Sequence, residues 1–162
     1  IAYLRKEQET DGSWFGRWGT NYIYGTWSVL TGFESAGIAK SDSSIRRAVT
    51  WLKAKQRIDG GWGEDNYSYH GKNIRGVFHT STAFHTALAL LALLSAGEAG
   101  CAEVECGVNY LLKTQQPDGF WKDKSFNAPG FPKVFYLKYH GYDKFFPLWA
   151  LARYRNECVT VR

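Results

Sequence analysis

Apolar residues recur at helical spacing through four blocks of this chain, each closed by a glycine or a polar turn. The block "YIYGTWSVLTGFESAG" (22–37) predicts a helix that stops at Gly37. "SDSSIRRAVTWLKAKQ" (41–56) opens on Ser and Asp, which are good N-caps, and carries Ile45, Val49 and Leu52 on one face. "STAFHTALALLALLSAG" (81–97) is apolar nearly all round, as expected of an inner, fully buried helix. "AEVECGVNYLLKTQ" (102–115) is amphipathic and belongs outside it. Inner apolar helices alternating with outer amphipathic ones predict an all-α chain of helical hairpins, as in an α/α barrel. No strand-like alternation competes, so helices are expected throughout. Two long loops, 63–78 and 122–133, are rich in Gly, Asn, Pro and aromatics and are candidates for function.

Between the helices one pattern is written three times without gaps. Leu4-x3-Gln8-x3-Gly12-x-Trp14 returns as Leu52-x3-Gln56-x3-Gly60-x-Trp62 and as Leu111-x3-Gln115-x3-Gly119-x-Trp121, with an aspartate before each glycine. Each copy falls where an outer helix should end. The glycine permits a backbone conformation other residues avoid. The glutamine amide can bond groups left unpaired at the turn, and the Trp ring can cover the neighbouring helix. The repeats, at about 4–14, 52–62 and 111–121, are therefore expected to be fasteners and not binding sites.

Composition changes the picture in a few places. Aromatics make up 17% of the 162 residues, more than a core needs, and that surplus asks for a use. The net charge is +5, but the basic residues are scattered along helical stretches, which describes a solvated face and argues against nucleic acid. Cys101, Cys106 and Cys158 form no disulfide-like framework, so a reducing compartment is expected. Cys101 and Cys106 would diverge by roughly 140° on a helix. His70, His79, His85 and His140 show no ligand spacing, so no metal is expected. No stretch reaches the ~18 to 20 apolar residues that span a bilayer. A chain that begins at Ile1 and lacks Met reads as a segment of a larger protein.

The three repeats resemble the QW motifs of the triterpene cyclases. "DGSWFGRWGTNYIYGTW" (11–27), "GGWGED" (60–65) and "GFPKVFYLKYHGYDKFFPLWALARY" (130–154) resemble the squalene-hopene cyclases in particular, in their C-terminal part. The resemblance implies a partial α/α barrel spanning 1–162. It also implies cyclisation of squalene to hopene and hopanol, an isomerase activity with a hydratase side reaction that uses no metal or organic cofactor. It further implies a peripheral, monotopic place on the cytoplasmic side of the bacterial inner membrane. The family's initiating acid is the central Asp of an Asp-x-Asp-Asp motif. The aspartates here are Asp11, Asp42, Asp59, Asp65, Asp118, Asp123 and Asp143, none closer than five residues to another, so the acid is expected upstream of Ile1. No catalytic residue is assigned within the chain.

A migrating carbocation needs stabilisation by groups that do not bond to it. An aromatic face supplies ~0.5 to 1 kcal/mol when exposed and ~2 kcal/mol or more when desolvated, which gives the aromatic surplus a use. The resemblance carries Trp18, Phe131, Phe135, Tyr139 and Tyr142 across as cavity-lining rings, with Leu137 shaping the pocket. Glu64 and Asp65 are read as a hydrogen-bonded loop instead of an acid pair. The stretch "STAFHTALA" (81–89) departs from the family's Ser-Thr-x-Ser-Gln-Thr-Ala-Trp at Phe84, His85 and Leu88, and His85 is expected to be a satisfied buried histidine. Rival readings are a cyclase acting on another polyprenoid, a protein prenyltransferase β subunit, and a non-catalytic helical-repeat module that binds lipid or a partner. The chain alone is expected to be inactive, to need the remainder of the cyclase, and to self-associate, as a homodimer for instance, through an exposed apolar flank.

Overall fold

The computed structural model describes residues 1–71, 75–77 and 80–160; His79 lies outside them. Six α-helices follow in order: α1 (Ala2–Lys6), α2 (Tyr22–Ser35), α3 (Ser43–Ala54), α4 (Ala83–Ser95), α5 (Ala102–Thr114) and α6 (Tyr142–Thr160). A 3-10 turn covers Asn66–Tyr69. The expectation of helices throughout needs one correction, because Ala128–Phe131 (β1) and Phe135–Leu137 (β2) pair as an antiparallel hairpin. These strands are too short to alternate, and "APGF" carries two residues that argue against a strand. The pairing is held from outside by Asn127, whose side chain donates to Tyr139 O at 3.0 Å and accepts from Tyr139 N at 2.8 Å.

Helix α4 is the axis of the molecule, and all of its residues are buried. It packs between α2 and α6, with α5 against it and α3 touching both α2 and α4. Leu and Ala give this segment high helix propensity, and burial on every side matches its all-round apolarity. Its first amides are all bonded. Thr82 Oγ1 accepts from His85 N at 3.1 Å, and the two oxygens of Asp123 accept from Ala83 N and Phe84 N, both at 2.9 Å.

The three Leu-to-Trp repeats fold alike. In each, the indole Nε1 donates back to the carbonyl of the leucine ten residues earlier: Trp14 to Leu4 at 2.7 Å, Trp62 to Leu52 at 2.8 Å and Trp121 to Leu111 at 2.9 Å. The glutamine Nε2 donates to the repeat's own glycine carbonyl at 2.8 Å in all three. The aspartate accepts from the amide two residues on, closing the turn. Gly12, Gly60 and Gly119 have φ of 98°, 85° and 83°, a region where a side chain is strained. Two of the glutamines also reach across to the next outer helix. Gln8 Nε2 donates to Ser44 O in the first turn of α3, and Gln56 Nε2 to Glu103 O in the first turn of α5, each at 2.8 Å. The side-chain amide thus bridges the end of one outer helix and the start of the next.

Long-range ties fix the remaining ends. The N-cap of α2, Asn21, offers no side-chain cap, and Glu64 serves instead, its Oε2 accepting from Asn21 N at 3.2 Å and Ile23 N at 2.8 Å. Arg75 is buried against Tyr22, its guanidinium carbon 4.4 Å from the ring centroid, and pairs with Glu9 and Asp11. Arg153 of α6 donates to Glu34 of α2 at 2.7 Å and to Ser95 of α4 at 2.9 Å, joining all three inner helices.

Two outcomes follow from these bonds. Trp62→Phe removes a buried indole donor while keeping an aromatic ring, and should cost about 1 to 3 kcal/mol of unfolding free energy, read by urea denaturation. Burial drives the Glu64 carboxyl above its ordinary value despite its backbone donors. A carboxyl whose folded pKa is raised binds its proton more tightly in the folded state, so its contribution to stability falls as pH rises from the ordinary carboxylate value through the raised one. The stability gap between the natural protein and Glu64→Gln should therefore drift against the natural protein as pH rises through that window; a gap independent of pH would contradict it.

Candidate functional site

Three stretches meet at Thr20. Its amide donates to Asn127 O at 3.0 Å, just before the hairpin; its hydroxyl bonds Asn66 Oδ1 at 2.6 Å; its carbonyl lies 2.7 Å from His85 Nε2 on α4. A carbonyl only accepts, so Nε2 carries the proton and Nδ1 accepts from the Thr82 hydroxyl at 2.8 Å. Burial lowers the His85 pKa to about 4, which keeps the ring neutral at physiological pH. His85 is thus a satisfied buried histidine. It also anchors the loop that carries Trp18 to the start of the central helix.

The sequence-derived site residues stand on this framework as follows. Trp18 lies on the loop tied down at Thr20 and is 64% exposed. Phe131 and Phe135 sit opposite each other in the hairpin register, their rings edge-to-face with centroids 5.8 Å apart, and are 66% and 46% exposed. Leu137 ends β2 and is also exposed. Tyr139 and Tyr142 follow, with ring centroids 4.9 Å apart. Tyr142 is half-buried and stacks on Phe84 at 5.1 Å. The structure joins Phe131 to Phe135 and Tyr139 to Tyr142. Trp18 has no ring partner among the described residues.

Tyr142 belongs to a larger constellation that the motif comparison passed over. Tyr24 and Trp27 of α2 touch at 5.4 Å, Trp27 meets Phe146 at 5.3 Å and Trp149 at 6.0 Å, and Phe146 contacts both Phe84 and Tyr142. These rings form one continuous aromatic face across α2, α4 and α6. The signal was present as spacing: Tyr24 and Trp27 are three apart, and Tyr142, Phe146 and Trp149 fall at i, i+4 and i+7. Trp149 is 44% exposed, so the face is open to one side. Burial, with Tyr24 and Tyr139 nearby, raises the Tyr142 pKa, so the group stays a neutral phenol at physiological pH.

The buried carboxylates are engaged elsewhere. Glu64 caps α2 and Asp123 caps α4, while Asp143 Oδ2 accepts from Asp123 N at 3.2 Å. Burial and the neighbouring Asp143 charge raise the Asp123 pKa against its two amide donors. Asp65 accepts from Tyr67 N at 2.7 Å, so Glu64 and Asp65 point at different partners. Among the described residues no cluster of three or more His, Cys, Asp or Glu could hold a metal ion. Two depressions of similar size are present, one of them at the Trp149 end of the aromatic face. One of about 640 Å³ is lined by residues including Asp65, Tyr67, His70 and Tyr136; one of about 610 Å³ lies beside Trp149 and Arg153. Among the described residues no helix is long and apolar enough to cross a membrane.

Known proteins place this arrangement. The model of the squalene-hopene cyclase C-terminal domain matches residues 1–156. A squalene–hopene cyclase of Bradyrhizobium diazoefficiens is 56% identical over 156 residues, 96% of this chain and 24% of the relative. One from Zymomonas mobilis is 52% identical over 158 residues, with the same coverage, and one from Alicyclobacillus acidocaldarius is 44% identical over 156, covering 25% of its length. This chain therefore spans about a quarter of the length of the curated relatives it matches. Among solved structures, the type II terpene cyclase MstE from Scytonema superposes with a TM-score of 0.66 at 19% identity, covering 99% of this chain and 50% of that one, which bears out the helical toroid fold. With the helical hairpins, the three repeats and a family match over residues 1–156, the chain belongs to the squalene-hopene cyclase C-terminal domain family.

Proposed function

We propose that this chain is part of a class II terpene cyclase that converts squalene to hopene and hopanol by proton-initiated carbocation cyclisation, and that it supplies aromatic wall and not the acid. The observation that carries the reading is the continuous aromatic face from Tyr24 and Trp27 through Phe84, Tyr142 and Phe146 to Trp149. The hairpin rings of Phe131 and Phe135 and the loop bearing Trp18 belong to the same site in this reading. Cation stabilisation by ring faces suits a reaction whose charge migrates, because a ring attracts the cation without forming a bond and without reorganising as the charge moves. The aspartates and Glu64 take no part as initiating acid: no Asp-x-Asp-Asp occurs in the chain, and the buried carboxylates hold backbone amides.

In this reading each ring works by position. Phe131 and Phe135, set edge-to-face, offer their faces to different points along a folded polyene. Tyr142 is fixed by stacking on the fully buried Phe84, so it cannot yield as the charge passes. His85, neutral and bonded at both nitrogens, positions the Trp18 loop and accepts no proton from the substrate. The exposed rings of this chain, together with Phe145 and Leu148 of α6, are the surface that the remainder of the cyclase would cover. The membrane-facing habit, the place on the cytoplasmic side of the inner membrane and homodimerisation belong to this proposal as properties of the whole enzyme.

A second reading keeps the mechanism and changes the substrate. The MstE structure with geranylgeranyl dihydroxybenzoate holds a shorter, modified polyprenoid, and a relative from Dryopteris crassirhizoma is a dammaradiene synthase, 46% identical over 170 residues. Feeding squalene and shorter polyprenoids to the full-length protein separates the two, because absence of any hopanoid from squalene would overturn the first. On the first reading, Phe135→Ala and Tyr142→Ala in the full-length protein should each lower hopene formation about 10- to 30-fold, the loss of ~1.4 to 2 kcal/mol of cation stabilisation. Incompletely cyclised products should appear in gas chromatography of the extracts. Ile58→Ala, at a fully exposed turn, is the control that leaves rate and products unchanged. Natural rate and product pattern in both aromatic variants would rule the wall out.

A further inference from the structure

Asp143, in the first turn of α6, is 4% exposed, and its Oδ1 is buried without a partner among the described residues. An acid is favoured at a helix start by the dipole alone. The hydrogen bond that Asp143 does make leaves its own helix, because Oδ2 accepts from Asp123 N at 3.2 Å. An acid kept only for the dipole would need no such bond. Both carboxylate oxygens of Asp123 are in turn taken up by the start of α4, accepting from Ala83 N and Phe84 N at 2.9 Å. Its carbonyl accepts from Lys138 Nζ, one residue past β2. One aspartate thus gathers the starts of α4 and α6 and the exit of the hairpin.

The residues gathered there carry part of the aromatic face. Phe84, whose amide Asp123 holds, is fully buried, and its ring stacks on Tyr142 with centroids 5.1 Å and planes 30° apart. Phe146 touches both rings, at 5.4 Å from Phe84 and 5.2 Å from Tyr142. Tyr142 immediately precedes Asp143 in the chain. The path therefore closes on itself: Asp143 reaches Asp123 by one hydrogen bond, Asp123 reaches Phe84 by another, Phe84 meets Tyr142 ring to ring, and a peptide bond returns to Asp143. In a closed path each contact constrains the others. The angle at which Tyr142 is presented thus depends on a buried carboxylate.

We propose that Asp143 is a positioning residue for the aromatic wall: acting through Asp123, it seats Tyr142 on Phe84 and so sets how completely the polyene is cyclised. The inference rests on the reading of this chain as cyclase wall, and it adds a residue that touches neither substrate nor cation. A cation is held by a ring only while the ring face points at it. A tyrosine free to tilt would lose part of that attraction and let an intermediate leave the path before the last ring closes. Burial, and with it the neighbouring Asp143 charge, raise the Asp123 pKa, so the two carboxylates repel. The bond therefore needs an acceptor at position 143 and not a charge.

The test uses the full-length protein with fluorotyrosine in place of Tyr142, read by fluorine NMR without substrate, and the unlabelled protein fed squalene, read by gas chromatography. Asp143→Leu has a similar shape and no acceptor. Its resonance should shift or broaden, its hopene formation should fall about 3- to 10-fold, and its incompletely cyclised products should match those of Tyr142→Ala. Asp143→Asn keeps the acceptor and should restore both readings. In a Tyr142→Ala background, Asp143→Leu should lower hopene formation by less than about 2-fold further, since its effect runs through the ring. Ile45→Ala opens a cavity under the outer helix α3 and should leave the resonance and the product ratio natural, which separates positioning from lost stability. An unmoved resonance in Asp143→Leu, an equal shift in Asp143→Asn, the full loss repeated in the Tyr142→Ala background, or the same product shift in Ile45→Ala would each overturn the proposal. Should Asp143→Leu not fold, Asp123→Asn, which leaves one acceptor for two α4 amides, is read in its place with the same outcomes. The two failures are distinguishable: no hopanoid from squalene, or natural products in Tyr142→Ala, defeats the cyclase reading, whereas an unmoved resonance defeats this inference whatever the substrate.

Discussion

The structure depends on a single side-chain amide used three times. A glutamine at the end of each outer helix donates one hydrogen to its own turn, and in two repeats donates the other to the first turn of the next outer helix. The carbonyls of a helix's first turn keep a second lone pair beside their intrahelical bond and stand at predictable positions, so one amide can register a whole helix against its predecessor. The indole of the same repeat donates back to the leucine carbonyl ten residues earlier, and its ring is buried in all three copies. Each hydrogen bond contributes only ~1 kcal/mol net. Their value lies in geometry: they fix the spacing of α3 against its predecessor and of α5 against α3.

On the proposed function, the inner layer of α2, α4 and α6 carries the aromatic wall. Because α4 is buried on every side, the open aromatic rings beside it come from its flanking neighbours α2 and α6. Tyr24, Trp27, Tyr142, Phe146 and Trp149 do so, seated on Phe84. The carboxylates that could quench or initiate a cation are drawn to helix starts instead, where Glu64 and Asp123 hold backbone amides. One architecture thus separates acid from aromatic surface within this chain.

Much of this was legible in the residues. The four helical blocks, the stop at Gly37, the Asp42 cap, the buried α4 and the buried His85 all follow from spacing and composition, since helix periodicity and capping are local signals. The hairpin was not legible, because its register is fixed by Asn127 bonding Tyr139 and by Thr20 bonding Asn127, contacts that no local pattern announces. Nor was the partner of Glu64: a hydrogen-bonded acid in a glycine-rich loop gives no local sign that it caps α2, which begins about 41 residues earlier. Motif comparison reached Trp18 and the "GFPKVFYLKY" rings and passed over Trp27 and Phe146, which helical spacing alone would have placed on one face with their neighbours.

The account's central claim is that the aromatic face is the wall of the reacting chamber in the complete enzyme. A structure of the full-length protein with a non-reactive squalene analogue bound measures this directly. The account predicts the polyene running within about 5 Å of Phe135 and Tyr142, the range of a cation–ring contact, with Trp18 turned into the same enclosed space. A polyene bound elsewhere, with those three rings facing solvent, would contradict it.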